Sequence, residues 1–203
     1  MNLQSTNALL IFVRNPIEGM VKTRIAQSTN NAEALHIYQQ LIHITQRNCD
    51  AVQNCDKFVF YSNFIPEQPD QWANDRYQKK IQSQSPDLGQ RMKQAFDDIF
   101  QMKYQQAIII GSDCPDLTAE HIKNAWQQLT NTDAVVGPAS DGGYYLLGIK
   151  KQLNCLWTNK QWSSSSVLSD TLNDLYANNW TYQLLPTLND IDTWQDWIDF
   201  CGR

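Results

Sequence analysis

A chain of 203 residues, 42% hydrophobic and 18% charged, has the apolar mass to bury about 70% of its unfolded surface; this excludes a stapled miniprotein and a wholly disordered chain, and predicts one domain over residues 1–203. The net charge of −5 repels phosphate backbones and anionic lipid, so nucleic-acid and nonspecific membrane binding gain no support, and any phosphate ligand must be held by a local basic cluster. The five cysteines (Cys49, Cys55, Cys114, Cys155, Cys201) form no CxxC pair, and His36, His43 and His121 show no HxxxH or HExxH spacing, so neither a disulfide framework nor a zinc site is indicated.

Ala8–Val13 is the first apolar run. It is too short for a signal segment or a membrane span, so a cytoplasmic protein without integral membrane association is expected, with this run as a strand. It leads into Arg14-Asn15-Pro16-Ile17-Glu18-Gly19-Met20-Val21-Lys22-Thr23-Arg24, three cations and a flexible glycine at a strand's C-terminal edge. That outlines a phosphate cradle, although it is neither a Walker A loop nor GxGxxG, and a solvated basic loop is the plainer alternative.

The spacing then predicts a helix over Asn31–Val52, with Ala34, Ile37, Leu41, Ile44 and Asn48 on one stripe facing the sheet. A strand follows at Lys57–Ser62, and Pro66, Pro69 and the polar stretch to Arg76 read as a surface loop or short helix. Next come a helix at Leu88–Met102, a strand at Gln106–Gly111, a helix at Thr118–Leu129, and strands at Ala134–Gly137 and Tyr144–Ile149. The serine run Ser163–Ser166 reads as a loop entering a helix at Ser165–Ala177, followed by a strand near Tyr182–Leu185. The last helix, Thr193–Cys201, should bury Trp194, Trp197, Ile198 and Cys201. Short β-branched runs alternating with helical periods predict an α/β fold with a parallel or mixed sheet and helices on both faces.

Such folds bind ligands at strand ends, and three further clusters fall there. Ile108–Ile110 ends at Gly111-Ser112-Asp113-Cys114-Pro115-Asp116, which puts Asp113 at the sheet rim, placed to hold Mg²⁺ or Mn²⁺ between protein and phosphate oxygens. Asp116 better fits a turn or helix cap. Asp141-Gly142-Gly143 ahead of a strand is an ordinary hairpin turn, yet its glycines also permit close backbone approach to a ligand that Asp141 would face. Asp190-Ile191-Asp192-Thr193 follows the last strand, which should deliver Asp190 and Asp192 near Asp113 as further metal ligands; Asp192 or Thr193 could instead cap the last helix.

Taken together these runs resemble the bacterial family described as radical-SAM/selenodomain-associated transferase 1, or DUF2064, which is similar to nucleotide-diphospho-sugar transferases of the glycosyltransferase-A type. Its R-x-P-x-x-G-x-x-K-T-R-[IL] is met from Arg14 to Ile25, D-L-G-x-R-M from Asp87 to Met92, G-S-D-x-P from Gly111 to Pro115, G-P-x-x-D-G-G-Y-x-L-x-G from Gly137 to Gly148, and D-x-D-T from Asp190 to Thr193. The resemblance implies a three-layer α/β/α sandwich with a mostly parallel mixed sheet, a nucleotide or nucleotide-sugar donor across the strand ends, and a small-molecule acceptor. It implies metal on Asp113, donor contacts from Arg14, Gly19, Lys22, Thr23, Arg24, Asp87, Gly89, Arg91, Gly142 and Gly143, and catalytic parts for Asp113, Lys22 and Asp141. Glycosyl transfer is the activity expected. Lys22-Thr23-Arg24 also looks like the triphosphate loop of nucleotidylyltransferases, so transfer from an NTP with release of pyrophosphate is the alternative, and a nucleotide-binding module without turnover is the third reading.

Overall fold

The computed structural model describes residues 5–203. In chain order the elements are β1 (Asn7–Val13), α1 (Thr23–Ser28), α2 (Asn31–Asp50), β2 (Asp56–Tyr61), β3 (Tyr77–Ile81), α3 (Leu88–Gln101), β4 (Gln106–Ile110), α4 (Ala119–Leu129), β5 (Ala134–Pro138), β6 (Tyr144–Ile149), a 3-10 turn at Asn154–Trp157, α5 (Val167–Ala177), β7 (Tyr182–Leu184) and α6 (Trp194–Cys201). The strands form a seven-stranded sheet in the order β3-β2-β1-β4-β6-β5-β7. Only β6 runs against its neighbours β4 and β5, and the other pairings are parallel.

Helices α2 and α4 cover one face, where Tyr38, Ile42, Ile122 and Leu129 meet Leu9, Ile11, Ile108 and Val135. Helices α3 and α5 cover the other through Met92, Phe96, Ile99 and Leu175 against Leu10, Phe58, Ile109 and Leu147. This is the expected three-layer sandwich with a mostly parallel mixed sheet. From β1 the chain crosses to β2 and β3 on one side and returns to β4 on the other, so a crevice opens beyond the C-terminal ends of β1 and β4.

Several expectations need correction. β3 follows the loop that ends at Arg76, over residues for which the sequence predicts no element: its Tyr-Gln-Lys-Lys-Ile sequence hides a strand because it sits at the sheet edge, with Tyr77 buried but Ile81 48% exposed. Lysines on an edge strand also discourage pairing with another chain. Helix α1 was not expected either: its first two residues, Thr23 and Arg24, close the basic run, and Ile25–Ser28 lie just beyond it. Helix α2 is buried on two sides rather than one stripe, because α1 and α6 pack on its outer face: Ala34, Ile37 and Leu41 join Ile25, Ile191 and Trp197, and Tyr38, Ile42 and Cys49 face the sheet. Ile44 and Asn48 are only half-buried, and Asn48 Nδ2 donates to the Leu117 carbonyl at 2.7 Å. On α6 the packing side is Trp194, Trp197 and Phe200, whereas Ile198 is 44% exposed and Cys201 is exposed. All five cysteines are free. Among the described residues no helix is long and apolar enough to cross a membrane.

Candidate active site

A cleft of about 570 Å³ lies over the ends of β1, β4 and β6, and Arg14, Lys22, Asp113, Asp141, Asp190 and Asp192 all line it. Three hydrogen-bonded ties set its shape. The Tyr38 hydroxyl of α2 accepts from the Arg14 amide at 2.7 Å and pairs with Ser112 Oγ at 3.1 Å, which joins the exits of β1 and β4. Burial first, and the Asp113 charge second, push the Tyr38 phenol well above its usual range, so it stays a neutral donor. The buried Asn15 side chain accepts from Asn63 N at 2.9 Å and donates to the Phe64 carbonyl at 2.8 Å. The Ile191 amide donates to the Asp113 carbonyl at 2.9 Å.

That last bond explains how two acids remote in sequence reach Asp113. Ile191 is buried against α1, α2 and α6, and both flanking carboxylates line the cleft. The cap of α6 is Thr193, whose side chain accepts from Asp196 N while Asp196 accepts from Thr193 N. Asp192 is therefore free of capping and faces Lys22 instead.

Lys22 is the hub. Its Nζ lies 3.1 Å from Asp113 Oδ1 and 3.4 Å from Asp192 Oδ1, with the side chain only 6% exposed, and Arg24 approaches Asp192 Oδ2 at 3.6 Å. The Lys22 backbone is left-handed, at φ 47° and ψ 45°, a conformation unusual for a residue with a Cβ and one that clusters at working sites. It ends the loop and starts α1, so the side chain points back over the sheet edge. Gly19, at φ 76° beside Asn31, lies outside the cleft lining and serves the turn that Met20 N closes on the Ile17 carbonyl at 3.0 Å. Thr23 and Arg24 line the cleft with Lys22.

Asp190 is pushed up to about 7, by burial first and then by the charges of Asp113 and Asp141, with Lys22 opposing. The sign of its effect on stability follows from proton binding. Between the unfolded value near 4 and about 7, the folded state holds the proton and the unfolded state does not, so stability falls as pH rises and levels off above 7. In metal-free buffer Asp190→Asn is expected to melt several degrees above the wild type at pH 8, with the gap narrowing toward pH 4; the upper bound is about 4 kcal/mol. Thermal melts across that range check it, and a gap independent of pH refutes the placement of this charge.

The Asp141-Gly142-Gly143 segment is the β5–β6 hairpin turn and also part of the cleft wall. Asp141 Oδ1 accepts from Gly143 N at 2.8 Å, and Asp141 and Gly143 line the cavity. Gly142 has φ +90°, but a Cβ there would meet the Ser165 backbone oxygen at 2.2 Å, so this glycine seats the loop before α5 and does not front the ligand side. The α3 run is corrected likewise. Asp87 caps α3 by accepting from Gln90 N at 2.8 Å, a Cβ on Gly89 would strike the Trp162 indole at 2.3 Å, and Arg91 lies behind the lining, one nitrogen 3.5 Å from Gln82 Oε1. Burial, then the like charge of Arg14, lowers the Arg91 guanidinium. Sequence reasoning gave no site role to Tyr38, Ser112, Tyr144 or Trp162, although Ser112 and Tyr144 stand in the Gly-Ser-Asp and Asp-Gly-Gly-Tyr motifs and Trp162 stands beside a serine run.

Among the described residues no three His, Cys, Asp or Glu side chains are grouped as a ready metal cage. Asp113 Oδ1 is nevertheless buried without a hydrogen-bond partner, its ion pair with Lys22 notwithstanding. A hard cation that completes its shell with substrate phosphates needs only one or two such carboxylates, so the donor set fits Mg²⁺ or Mn²⁺.

Comparison with known proteins identifies the family and the fold. The family described as "Uncharacterized protein conserved in bacteria (DUF2064)" matches residues 45–164, a span that includes Asp87–Met92, Asp113 and the hairpin. No curated protein matches the sequence. A crystal structure of a "putative nucleotide-diphospho-sugar transferase" from Desulfovibrio desulfuricans G20 is 30% identical, covers 94% of this chain and 84% of its own, and superposes with a TM-score of 0.86. CMP:2-keto-3-deoxy-manno-octonic acid synthetase complexed with CTP, 7% identical, covers 97% of each chain at a TM-score of 0.59. Rv0371C of Mycobacterium tuberculosis H37Rv in complex with manganese, 8% identical, covers 99% of this chain and 100% of its own at 0.58. These last two show the shared fold. With more than half of its length matched by the family and a 30%-identical relative superposing over 94% of it, the chain belongs to the DUF2064 family.

Proposed function

We propose that this chain is a metal-dependent transferase acting on a nucleotide donor, and that its reaction is glycosyl transfer from a nucleotide-diphospho-sugar to a small acceptor. The observation that carries this reading is the meeting of Lys22 with Asp113 and Asp192 at the crevice between β1 and β4. The 30%-identical relative bears a transferase description of that class. Bound Mg²⁺ or Mn²⁺, held by Asp113 with Asp190 or Asp192, supplies charge neutralisation for a diphosphate. Lys22 and Arg24 exchange their carboxylate partners for phosphate oxygens, and Arg14 adds a third cation. The acceptor hydroxyl oxygen bonds to the anomeric carbon while the bond from that carbon to the diphosphate oxygen breaks. Its proton passes to Asp141, and the electron pair leaves with the nucleoside diphosphate. Enzymes of this kind contribute mostly position and charge.

Three cations around one cleft also suit a triphosphate, which supports nucleotidylyl transfer as a second reading: an acceptor oxygen attacks the α-phosphorus and pyrophosphate leaves. Incubation with Mn²⁺ and either nucleotide sugars or NTPs separates the two by the product released, nucleoside diphosphate or pyrophosphate. Release of neither, with retained nucleotide binding, selects the non-catalytic module.

Lys22→Ala is expected to weaken nucleotide binding roughly ten- to hundredfold, about 1.5–3 kcal/mol for a charge-assisted hydrogen bond to phosphate. Arg24→Ala should cost less, because its side chain is 71% exposed and screened by solvent. Calorimetry with unchanged affinity in both variants returns the segment to a solvated loop.

A further inference from the structure

The cleft has a second end, chemically unlike the first. Phe12, Leu88, Met92, Tyr144 and Trp162 line it, and all five belong to or pack on the core beneath α3 and α5. Lys22 and its carboxylates lie at the other end, beside α1 and the segment anchored by Ile191. Trp162 is fixed from two sides. Its ring stacks on Trp157 with centroids 6.4 Å apart and planes 22° apart. It also lies so close to the first turn of α3 that only a glycine at position 89 leaves room for it. A helix tolerates glycine poorly, by roughly 1 kcal/mol relative to alanine, and here the absent side chain lets an indole face the cavity. Tyr144, Ser163 and Ser164 bring hydroxyl-bearing side chains to the cleft lining. No carboxamide lines the cleft among the described residues to read the edge of a nucleobase, and Arg14, which follows Phe12 and interacts with Arg91 of α3, is the charged side chain toward this end.

We propose that this apolar end is the acceptor subsite and that it takes a ring-bearing, largely apolar alcohol, its ring on Trp162 and its hydroxyl toward Asp141. The assignment rests on the transferase reading for its role, and on the cavity alone for its ligand chemistry. An amphipathic cleft separates the partners of a transfer: the charged end neutralises the donor diphosphate, and the apolar end holds the acceptor without competing for those charges. Asp141 also lines the cleft, in the hairpin turn that leads into Tyr144.

The test uses 2-naphthol as probe, titrated by calorimetry into the full-length protein with Mg²⁺, in the presence and absence of each common nucleoside diphosphate. Trp162→Ala and Gly89→Ala are expected to weaken naphthol binding about tenfold or more, in line with loss of a stacking platform. Trp162→Phe should keep it within about threefold. Gly89→Ala retains the tryptophan and adds a helix-favouring methyl, so a normal melting temperature with lost binding separates the subsite from a folding defect. Nucleotides should leave naphthol affinity unchanged. Naphthol binding that is absent in the wild type or indifferent to Trp162 and Gly89 overturns the proposal, and so does competition by a nucleotide, which would make this end a base pocket. If no nucleotide binds but naphthol binding depends on Trp162, the subsite stands and the nucleotide-transferase reading falls.

Discussion

Asp113→Asn is expected to lower turnover by about a thousandfold or more, the scale on which loss of a metal or a charge-stabilising group acts, while the melting temperature stays close to that of the wild type. The fold should tolerate the change because the structural duty of residue 113 belongs to its backbone: its carbonyl receives the Ile191 amide and so anchors the segment bearing Asp190 and Asp192. The side-chain oxygen facing Lys22 makes no hydrogen bond that an amide would break. Asparagine keeps that shape and can turn its carbonyl oxygen toward the Lys22 ammonium. What it loses is the negative charge, and a neutral amide competes poorly with phosphate and water for a hard cation. Two measurements check this: turnover at saturating Mg²⁺ or Mn²⁺, and the thermal shift on adding metal with nucleotide, which the wild type should show and the variant should not. Turnover within tenfold of wild type sinks the metal assignment at Asp113.

The parts of this site legible in the sequence are those where local chemistry and topology coincide. A buried apolar strand ending in Gly-Ser-Asp places an acid at a sheet rim, and that is where Asp113 stands. The Asp190-Ile191-Asp192 alternation places its two acids on one side because Ile191 is drawn inward. Gly142 was legible as a positive-φ position, but not the neighbour that requires it. Residues whose meaning depends on a distant partner were hidden. Gly89 and Trp162 interpret one another only once α3 and the loop before α5 are adjacent, and Tyr38 reads as a core aromatic until its hydroxyl is seen to join Arg14 and Ser112. The edge strand β3 escaped for a related reason: with solvent on one side and lysines in its middle, it carries little of the alternation that marks a half-buried strand. Helix α2 misled in the opposite sense, since a single stripe was expected where α1 and α6 supply a second covered face.

Gly142→Val is expected to be the most damaging substitution outside the charged cluster, and through the fold rather than through the ligand. The residue has φ +90°, a region that a β-branched side chain enters only with strain of about 1–3 kcal/mol. Its missing Cβ would stand 2.2 Å from the Ser165 carbonyl oxygen, a backbone atom that cannot rotate away. The same peptide is tied to α5, because Leu168 N donates to the Gly142 carbonyl at 2.9 Å. To admit the side chain, the hairpin must part from the start of α5, and this loosens Ser163, Ser164 and Val167 along the cleft wall. Strain and the lost packing together predict a loss of about 3–5 kcal/mol, or roughly 6–20 °C in melting temperature for a chain of this size. Gly143→Ala is the control: its Cβ would come no nearer than 3.1 Å, to an oxygen at the end of the exposed Asp141 side chain, which can shift. It should cost under about 1 kcal/mol. Denaturant and thermal unfolding of both variants decide the matter. If Gly142→Val melts within about 2 °C of the wild type, the hairpin is not clamped to α5 and the cleft wall it forms must be held in some other way.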